Sequence, residues 1–327
     1  MRTKKAIKNF FWCIFIPLMI TVLITLLRHA MIGFSFQDVH TIFHPFHRNH
    51  VNYAALIALF FPFVINALSW YPRKSTTWYL IALCIPILLI ATYLSFTRAA
   101  YVALIIAGAC YFVFKWKLIR YAILAAIIIA PMVVNYVVED NKYLEFAPDY
   151  NRTVTHTKFN NLIDATYKGE DISTMERVYR WVAGGHMVSA HPLVGVGPGN
   201  FVNFYRSYTV NSFQTYVSDN EDNSGIHSYY LMTMVEQGIP GLLIYLLLCF
   251  ATLIMGERIY HRLVDPFWKN TVMAALLCMI IIDAFQIIND MLETDKMGPF
   301  FFFTIAILIV ADLHHRKKRF RGLNSKN

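Results

Sequence analysis

The amino-acid sequence alternates between long apolar blocks and shorter polar segments that carry most of its charged residues. Each block is about 16–20 residues long, close to the length an α-helix needs to cross the hydrocarbon core of a bilayer. This pattern predicts an all-α polytopic membrane protein with about eight transmembrane helices and one long, partly helical loop on the outer face. The predicted spans are residues 10–27, 50–69, 77–96, 99–114, 120–138, 239–255, 271–288 and 298–313.

One polar segment, residues 139–226, is too long to be a simple connection between two spans. It holds 11 of the 20 acidic residues, interleaved with basic and aromatic ones. We therefore predict three regions. Residues 1–138 form an N-terminal bundle of five spans, residues 139–237 a functional loop, and residues 238–327 three spans and a basic tail.

Lysine and arginine residues predict the orientation. With the N-terminus in the cytoplasm, the cytoplasmic segments and the two termini carry 18 of the 29 basic residues. Most of the others lie in the long loop, where charge has little influence on topology. The positive-inside rule therefore predicts that both termini are cytoplasmic. The basic tail is also suited to anionic lipid headgroups.

Composition excludes several classes of protein. Hydrophobic residues make up 57% of the chain and charged residues only 15%, whereas soluble domains have about 25% charged residues. The net charge of +9 follows from the basic cytoplasmic segments, so no nucleic-acid partner is predicted. All five cysteines lie in apolar segments, which favours packing roles over disulfides or a metal cluster.

One amphipathic helix is predicted within the long loop, over the stretch "STMERVYRWVAGGHMVSAHP". Ser173 and Glu176 have the spacing of a capping box, and Pro192 marks the end of the helix. Arg177 and Arg180 are three residues apart and share a face with a glycine. Two interpretations stay open: a site for an anionic ligand beside small residues, and a solvated charged face on a helix that rests on the membrane.

Two further patterns follow this helix. The stretch "HPLVGVGPGNF" at 191–201 predicts a tight turn, because glycine and proline are concentrated there without the Lys-Ser/Thr pair of a phosphate-binding loop. His227 then precedes a short helix, a break at 238–241 around Pro240, and a full span. A neutral imidazole with an ordinary pKa of about 6.5 is suited to general-base catalysis, although an interfacial histidine would also fit here.

Three other polar groups allow more than one interpretation. Arg98 lies in the very short connection between the third and fourth spans, where it would either extend toward the lipid interface or bind phosphate. Four histidines occupy the first outer loop, but Pro45 interrupts their helical register, so no metal site is predicted. A polar face on the seventh span should turn into the protein, as an ion path or beside a polar cavity. The histidines are His40, His44, His47 and His50, and the polar face comprises Asp283, Gln286, Asn289 and Asp290.

Four stretches in this order resemble the O-antigen ligase family and its relatives among polysaccharide polymerases. His227, Ser228 and Gly238 fit the family pattern of a histidine, then Asn, Ser or Gln, then nine residues and a glycine. The resemblance covers roughly residues 40–310, and its specificity comes from the ordered set that brackets one long outer loop. The stretches are "SFTRAAYV" at 95–102, "ERVYRW" at 176–181, "HPLVGVGPGNF" at 191–201 and "HSYYLMTMVEQGIPG" at 227–241.

The resemblance implies a glycosyltransferase of the bacterial inner membrane. Such enzymes take a glycan from undecaprenyl diphosphate at the periplasmic face. A ligase transfers it to the lipid A core, and a polymerase transfers it to another glycan. The resemblance implies His227 as the catalytic base and Arg98 and Arg177 as diphosphate-binding residues, and the helix face adds Arg180 to that set.

Backside attack on the anomeric carbon would invert it, and because two arginines hold the diphosphate, no metal and no cofactor is expected. The expected partners are the lipid-linked glycan, its acceptor and membrane lipids. An alternative function, transport of the lipid-linked sugar without chemistry, would predict internal repeats and polar sites at the membrane midplane. The sequence shows no such repeat and instead has a histidine at the end of a long outer loop, which favours the enzyme.

Overall fold

The computed structural model of the protein describes residues 3–36, 38–147, 171–215, 218–220 and 223–324. Within these ranges the chain forms α-helices and short 3₁₀ turns and no β-strand, which confirms the predicted all-α fold. Eight of the described helices are long and apolar enough to cross a membrane. The number of spans predicted from hydropathy is therefore confirmed.

The longer helices of the described residues are labelled in chain order. They are α1 (Lys4–Met31), α2 (His50–Leu68), α3 (Thr76–Tyr93), α4 (Arg98–Lys115), α5 (Ile119–Val138), α6 (Ile172–Ala190), α7 (Tyr229–Arg262), α8 (Pro266–Ile288) and α9 (Gly298–Asn324). All of these except α6 are candidate membrane spans.

Several helices extend beyond the apolar blocks that predicted them. Helix α1 begins at Lys4 rather than at residue 10, with the Thr3 side chain accepting a hydrogen bond from the Ala6 N–H at 3.2 Å. The reason is that hydropathy reports which residues prefer lipid, whereas the backbone hydrogen-bond ladder continues into charged residues until a cap ends it.

The chain folds into two compact units, and each is described by itself. The first unit comprises residues 1–119, 251–285 and 293–327, and the second comprises residues 120–250 and 286–292. Helices α7 and α8 therefore each contribute residues to both units.

In the first unit, α2 is an enclosed helix, with 67% of its span buried inside the protein. The buried Asn66 side chain donates a hydrogen bond from Nδ2 to Thr271 Oγ1 of α8 at 3.3 Å. Such a bond satisfies two polar groups that would otherwise meet only hydrocarbon. In α3 and α4 only 22% of each span is buried, and the remaining apolar surface is suited to lipid.

In the second unit, the described part of the polar loop folds around an apolar core of its own. Helix α6 contributes one side of this core, and short helical turns between residues 201 and 213 contribute another. This core holds α6 and the chain that enters α7 in a fixed arrangement. Its buried members are Tyr179, Ala183, Met187, Phe201, Tyr205, Phe213, Ile226 and Val235.

The start of α6 corrects one prediction. The N-cap is Asp171, whose Oδ2 accepts hydrogen bonds from the Thr174 N–H at 3.2 Å and the Thr174 hydroxyl at 2.5 Å. The predicted capping box of Ser173 and Glu176 is therefore wrong. A carboxylate is a strong acceptor near the positive end of a helix, and Asp171 supplies it two residues before Ser173. Glu176 takes no part in capping, and its side chain is buried within the second unit.

Candidate functional site

Helix α7 is interrupted close to its N-terminal end, where Gly238 has φ 72° and ψ −179°. The Ile239 N–H donates a hydrogen bond to the Pro192 carbonyl at 2.8 Å, and Pro240 has no N–H to donate. The predicted break at 238–241 is thereby confirmed. It separates a short helical segment from the long part of α7.

The glycine-rich segment 191–201 pairs with this break and satisfies carbonyl groups that the break releases. In a continuous helix, the carbonyls of Val235 and Glu236 would accept from N–H groups four residues later. Instead, the Val196 N–H donates to the Val235 carbonyl at 2.9 Å, and the Gly197 N–H donates to the Glu236 carbonyl at 2.9 Å. The predicted tight turn is therefore a backbone clamp on the start of α7.

Two glycines allow this close pairing. Gly195 has φ 69°, and a Cβ on it would lie 2.4 Å from the backbone carbon of Glu236. A Cβ on Gly238 would lie 2.4 Å from the Leu193 carbonyl oxygen. Both positions combine a left-handed backbone with contact to another backbone, so any side chain there would push the two segments apart.

His227 immediately precedes α7 and faces Asp290. Its Nδ1 lies 3.7 Å from Asp290 Oδ1, and its backbone N–H donates to Asp290 Oδ2 at 3.3 Å. The side chain keeps 30% of its surface exposed. Burial lowers the pKa of His227 to about 4; the Asp290 charge opposes this shift, and the charges of Arg177 and Arg180 add to it. The imidazole is therefore neutral at pH 7, as a general base must be.

Gly225 makes room for the Asp290 carboxylate. A Cβ on Gly225 would lie 1.9 Å from Asp290 Oδ2, so a larger residue would displace the carboxylate from His227. Sequence reasoning assigned Asp290 to a polar face of the seventh span and did not connect it with His227. The only available signal was an acidic residue at the end of an apolar block, two positions after the last residue of α8 at Ile288.

Glu176 and Arg180 form a buried ion pair on α6. Arg180 Nη2 lies 3.6 Å from Glu176 Oε2. Arg180 also donates from Nη1 to the Gly225 carbonyl and from Nη2 to Asn220 Oδ1, each at 3.2 Å. The Ser218 hydroxyl donates to Glu176 Oε1 at 2.7 Å. The pair therefore ties α6 to the chain that leads into His227.

Arg177 lies one residue after Glu176 and is half-buried. Its Nη1 donates to the Ser173 carbonyl at 3.0 Å and to the Ser173 hydroxyl at 2.9 Å, one turn earlier on α6. Its charge reaches the His227 imidazole, where it lowers the pKa. The structure thus brings Arg177, Arg180 and His227 into one electrostatic environment within the second unit.

The space beside Gly184 is not open to a ligand. A Cβ on this glycine would lie 2.4 Å from Ile226 Cδ1 and 3.2 Å from Leu231 Cδ2. The small residue therefore admits the apolar side chains that flank His227. The interpretation of this helix face as a roomy ligand site is corrected at Gly184, where close packing occupies the volume.

Arg98 belongs to the first unit, where it is the first residue of α4 and is half-buried. Thr97 is the N-cap, and its hydroxyl donates to the His50 carbonyl at 3.3 Å. The first turn of a helix carries partial positive charge from its N–H groups, and the Arg98 guanidinium adds a full charge there. Both features favour an anion at this end of α4.

His47 is the first-loop histidine for which the described residues show a packing role. His47 is buried, its ring centroid lies 5.2 Å from that of Tyr53, and burial lowers its pKa to about 4. The His44 carbonyl accepts a hydrogen bond from Arg28. The side chain of His40 lies outside the described residues.

The polar face of α8 turns into the protein at its C-terminal end, as predicted. Gln286 is fully buried and accepts a hydrogen bond from the Tyr245 hydroxyl. Asn289 is also buried, and its carbonyl accepts from the Tyr229 N–H at 3.2 Å. These bonds fix the end of α8, and therefore Asp290, against the start of α7.

Comparison with known proteins identifies the family of the chain. The model of the family described as O-Antigen ligase matches residues 83–246, about half of the chain. The match includes Arg98, Arg177, His227 and the break at Gly238. No curated protein matches the chain at a significant level. Because the match spans half of the chain and includes all four stretches of the resemblance, this protein belongs to the O-antigen ligase family.

Proposed function

We propose that this protein is an inverting glycosyltransferase that moves a glycan from undecaprenyl diphosphate to an acceptor hydroxyl at the periplasmic face of the bacterial inner membrane. The observation that carries the proposal is the neutral His227, which lies within the family's matched segment and is held beside Asp290. A neutral imidazole oriented by a carboxylate is the arrangement that general-base catalysis requires.

In the proposed reaction, a ring nitrogen of His227 takes the proton of the acceptor hydroxyl. The acceptor oxygen attacks the anomeric carbon from the side opposite the diphosphate and forms the new glycosidic bond. The bond between the anomeric carbon and the diphosphate oxygen breaks, and undecaprenyl diphosphate leaves with the electron pair. Asp290 keeps the imidazole oriented and stabilises the imidazolium ion that forms.

Arg98 and Arg177 are proposed to bind the diphosphate and to stabilise the negative charge that grows on it as it leaves. Arginine is suited to this role because its planar guanidinium donates two hydrogen bonds to phosphate oxygens. The position of Arg98 at the N-terminus of α4 supports its part of the assignment. Two arginines supply the cationic charge that a divalent metal supplies in other enzymes, so we propose a metal-independent reaction.

The proposed topology has both termini in the cytoplasm and the polar segment 139–226 in the periplasm. The distribution of lysine and arginine supports this orientation. The expected acceptor is the lipid A core. A polymerase would use the same residues with a second glycan as acceptor, so the acceptor must be determined by experiment.

The decisive experiment supplies the purified full-length protein in lipid nanodiscs with a radiolabelled glycan on undecaprenyl diphosphate. Separate reactions offer lipid A core or free glycan as acceptor. We expect a new glycosidic bond, and its loss in His227→Ala, Arg98→Ala and Arg177→Ala proteins that still insert into membranes. Exposed Arg73, replaced by lysine, serves as a control outside the proposed site.

Three results would change the proposal. Unchanged product from His227→Ala would reject His227 as the base. Transfer to free glycan but not to lipid A core would assign the protein as a polymerase. Movement of the labelled lipid across a liposome membrane without bond formation would replace transfer with transport.

A further inference from the structure

Arg180 shares a helix face with Arg177, but the two side chains have different surroundings. Arg180 is only 5% exposed, whereas Arg177 is half-buried. Each terminal nitrogen of Arg180 already has a partner within the second unit. Because this guanidinium is enclosed by the protein and both of its terminal nitrogens donate to protein acceptors, it is poorly placed to meet a phosphate oxygen.

The partners of Arg180 lie on the segment that carries His227. Asn220 Oδ1, which accepts from Arg180, also accepts from the N–H and the hydroxyl of Ser224, each at 2.9 Å. The Gly225 carbonyl is the second acceptor, and Gly225 lies two residues before His227. Arg180 therefore fixes both ends of the short stretch that leads into the proposed base.

Glu176 anchors Arg180 from the other side. One carboxylate oxygen faces the guanidinium, and the other accepts hydrogen bonds from Ser218 and Thr215. The hydrogen bonds from Ser218 and Thr215 help to offset the cost of burying this charge pair. The result is a brace that joins α6 to Thr215, Ser218, Asn220 and Gly225.

The brace holds the backbone segment just before His227, whose own backbone conformation is unusual. His227 has φ 58°, an uncommon backbone conformation for a residue with a side chain. The backbone of Gly225 lies against the Asp290 carboxylate, which contacts His227 through both its ring and its backbone N–H. A shift of Gly225 would therefore move His227 and Asp290 relative to each other.

From these contacts we infer that Arg180 is a positioning residue: through Gly225 and Asn220 it holds His227 against Asp290, and it does not bind the diphosphate. This inference rests on the proposed function of His227 as the base. It separates two neighbouring arginines by role. Arg177 interacts with the donor, and Arg180 acts through the base.

Steady-state kinetics distinguish the two roles. Arg180→Lys keeps the charge but loses the planar fork that reaches two acceptors. We expect it to lower kcat about tenfold and to leave the KM for the lipid-linked donor within about twofold, because misplacement of a catalytic group affects the chemical step. Arg177→Lys should raise the donor KM about tenfold and lower kcat as well, since Arg177 is proposed both to bind the diphosphate and to stabilise its developing charge.

Glu176→Gln is a second variant that leaves Arg180 in place and removes its anchoring charge. It should reproduce the kcat effect of Arg180→Lys without a change in donor KM. Arg73→Lys, on the exposed connection between α2 and α3, should change neither constant. A donor KM raised about tenfold in Arg180→Lys, whether or not kcat also falls, would show that Arg180 binds the diphosphate. No change in either constant would show that it does not position the base.

Hydrogen exchange tests the brace without any assay of activity. In the full-length protein in nanodiscs, Arg180→Lys and Glu176→Gln should speed amide exchange at residues 223–229. Exchange within residues 201–205, in the same apolar core, should be unchanged. Equal exchange rates at 223–229 in wild type and both variants would overturn the inference. If the wild-type protein transfers no glycan, the proposed function fails, and the exchange data still decide whether Arg180 positions this segment.

Discussion

The Asp290 carboxylate contacts His227 twice, through Nδ1 at 3.7 Å and through the backbone N–H at 3.3 Å. The two residues are separated by 63 positions in the chain. The hydrogen bond holds the backbone of His227, and the 3.7 Å approach places the carboxylate beside Nδ1 of the ring. This double contact explains how a partly exposed imidazole is held in one orientation at the start of α7.

The first prediction concerns Asp290. Asp290→Asn keeps the shape of the side chain but removes the charge that opposes the lowering of the His227 pKa. We expect kcat to fall by roughly 10²-fold, within the range typical of general-base catalysis, and the pKa of His227 to fall further. Initial rates with saturating donor measure the first effect, and histidine NMR measures the second.

Gly225→Ala provides an independent test of the same contact, since its methyl group would collide with the carboxylate. Its kcat should decrease as it does in Asp290→Asn. Gly185→Ala is the matched control, because a Cβ at Gly185 would meet nothing within 4 Å. Full activity in Gly225→Ala would show that the exact placement of Asp290 is unimportant.

The second prediction concerns pH and activity. Because the pKa of His227 is about 4 in the folded protein, the base is already deprotonated throughout the neutral range. On the acid side, kcat/KM should therefore decline only well below pH 6.5, near the pKa of His227 in the free enzyme. A profile that declines around pH 6.5 would mean that His227 titrates as an ordinary solvated histidine.

The third prediction concerns pH and stability. Between pH 6.5 and about 4, the unfolded chain binds a proton at His227 and the folded protein does not. The contribution of this residue to stability is thus complete above pH 6.5 and is lost as the pH falls toward 4. Thermal unfolding of wild type and His227→Gln across this range should show a smaller loss of stability on acidification in the variant.

The fourth prediction concerns the clamp between segment 191–201 and α7. Gly195→Ala and Gly238→Ala should each destabilise the protein by about 2 kcal/mol or more, because each adds backbone strain to a steric clash. Gly185→Ala should instead be neutral or stabilise by up to about 1 kcal/mol, since it lies inside a helix with free space around it. Thermal unfolding in detergent ranks the three variants. Equal melting temperatures would contradict the clamp.

The fifth prediction concerns the start of α6. Asp171→Ala removes the N-cap acceptor and should cost about 1 kcal/mol or more, because Asp171 is also buried. Ser173→Ala should cost less, since Ser173 does not cap the helix. Its effect should appear in donor binding, because the Ser173 hydroxyl accepts from Arg177. A larger loss of stability from Ser173→Ala would restore the capping box.

Parts of the site were predictable because their signals are local. The break in α7 follows from Gly238 and Pro240 whatever their neighbours are, and a basic residue in a short connection is visible in Arg98. The capping box failed for the opposite reason: Ser173 and Glu176 have the required spacing, yet the helix already begins after Asp171, whose carboxylate accepts from the Thr174 N–H. Spacing alone does not determine which of two nearby caps is used.

The sequence by itself determined the all-α class, the eight candidate spans and the family. Apolar blocks long enough to cross a bilayer and short motifs are both formed by residues that are adjacent in the chain, so they can be recognised without the fold. Only the tertiary structure decided that Asp290 faces His227, that Arg180 binds Asn220 and Gly225, and that segment 191–201 clamps the start of α7. Each of these contacts joins segments distant in the chain, and their partners are chosen by packing and by the need to satisfy buried polar groups. No local pattern encodes that choice.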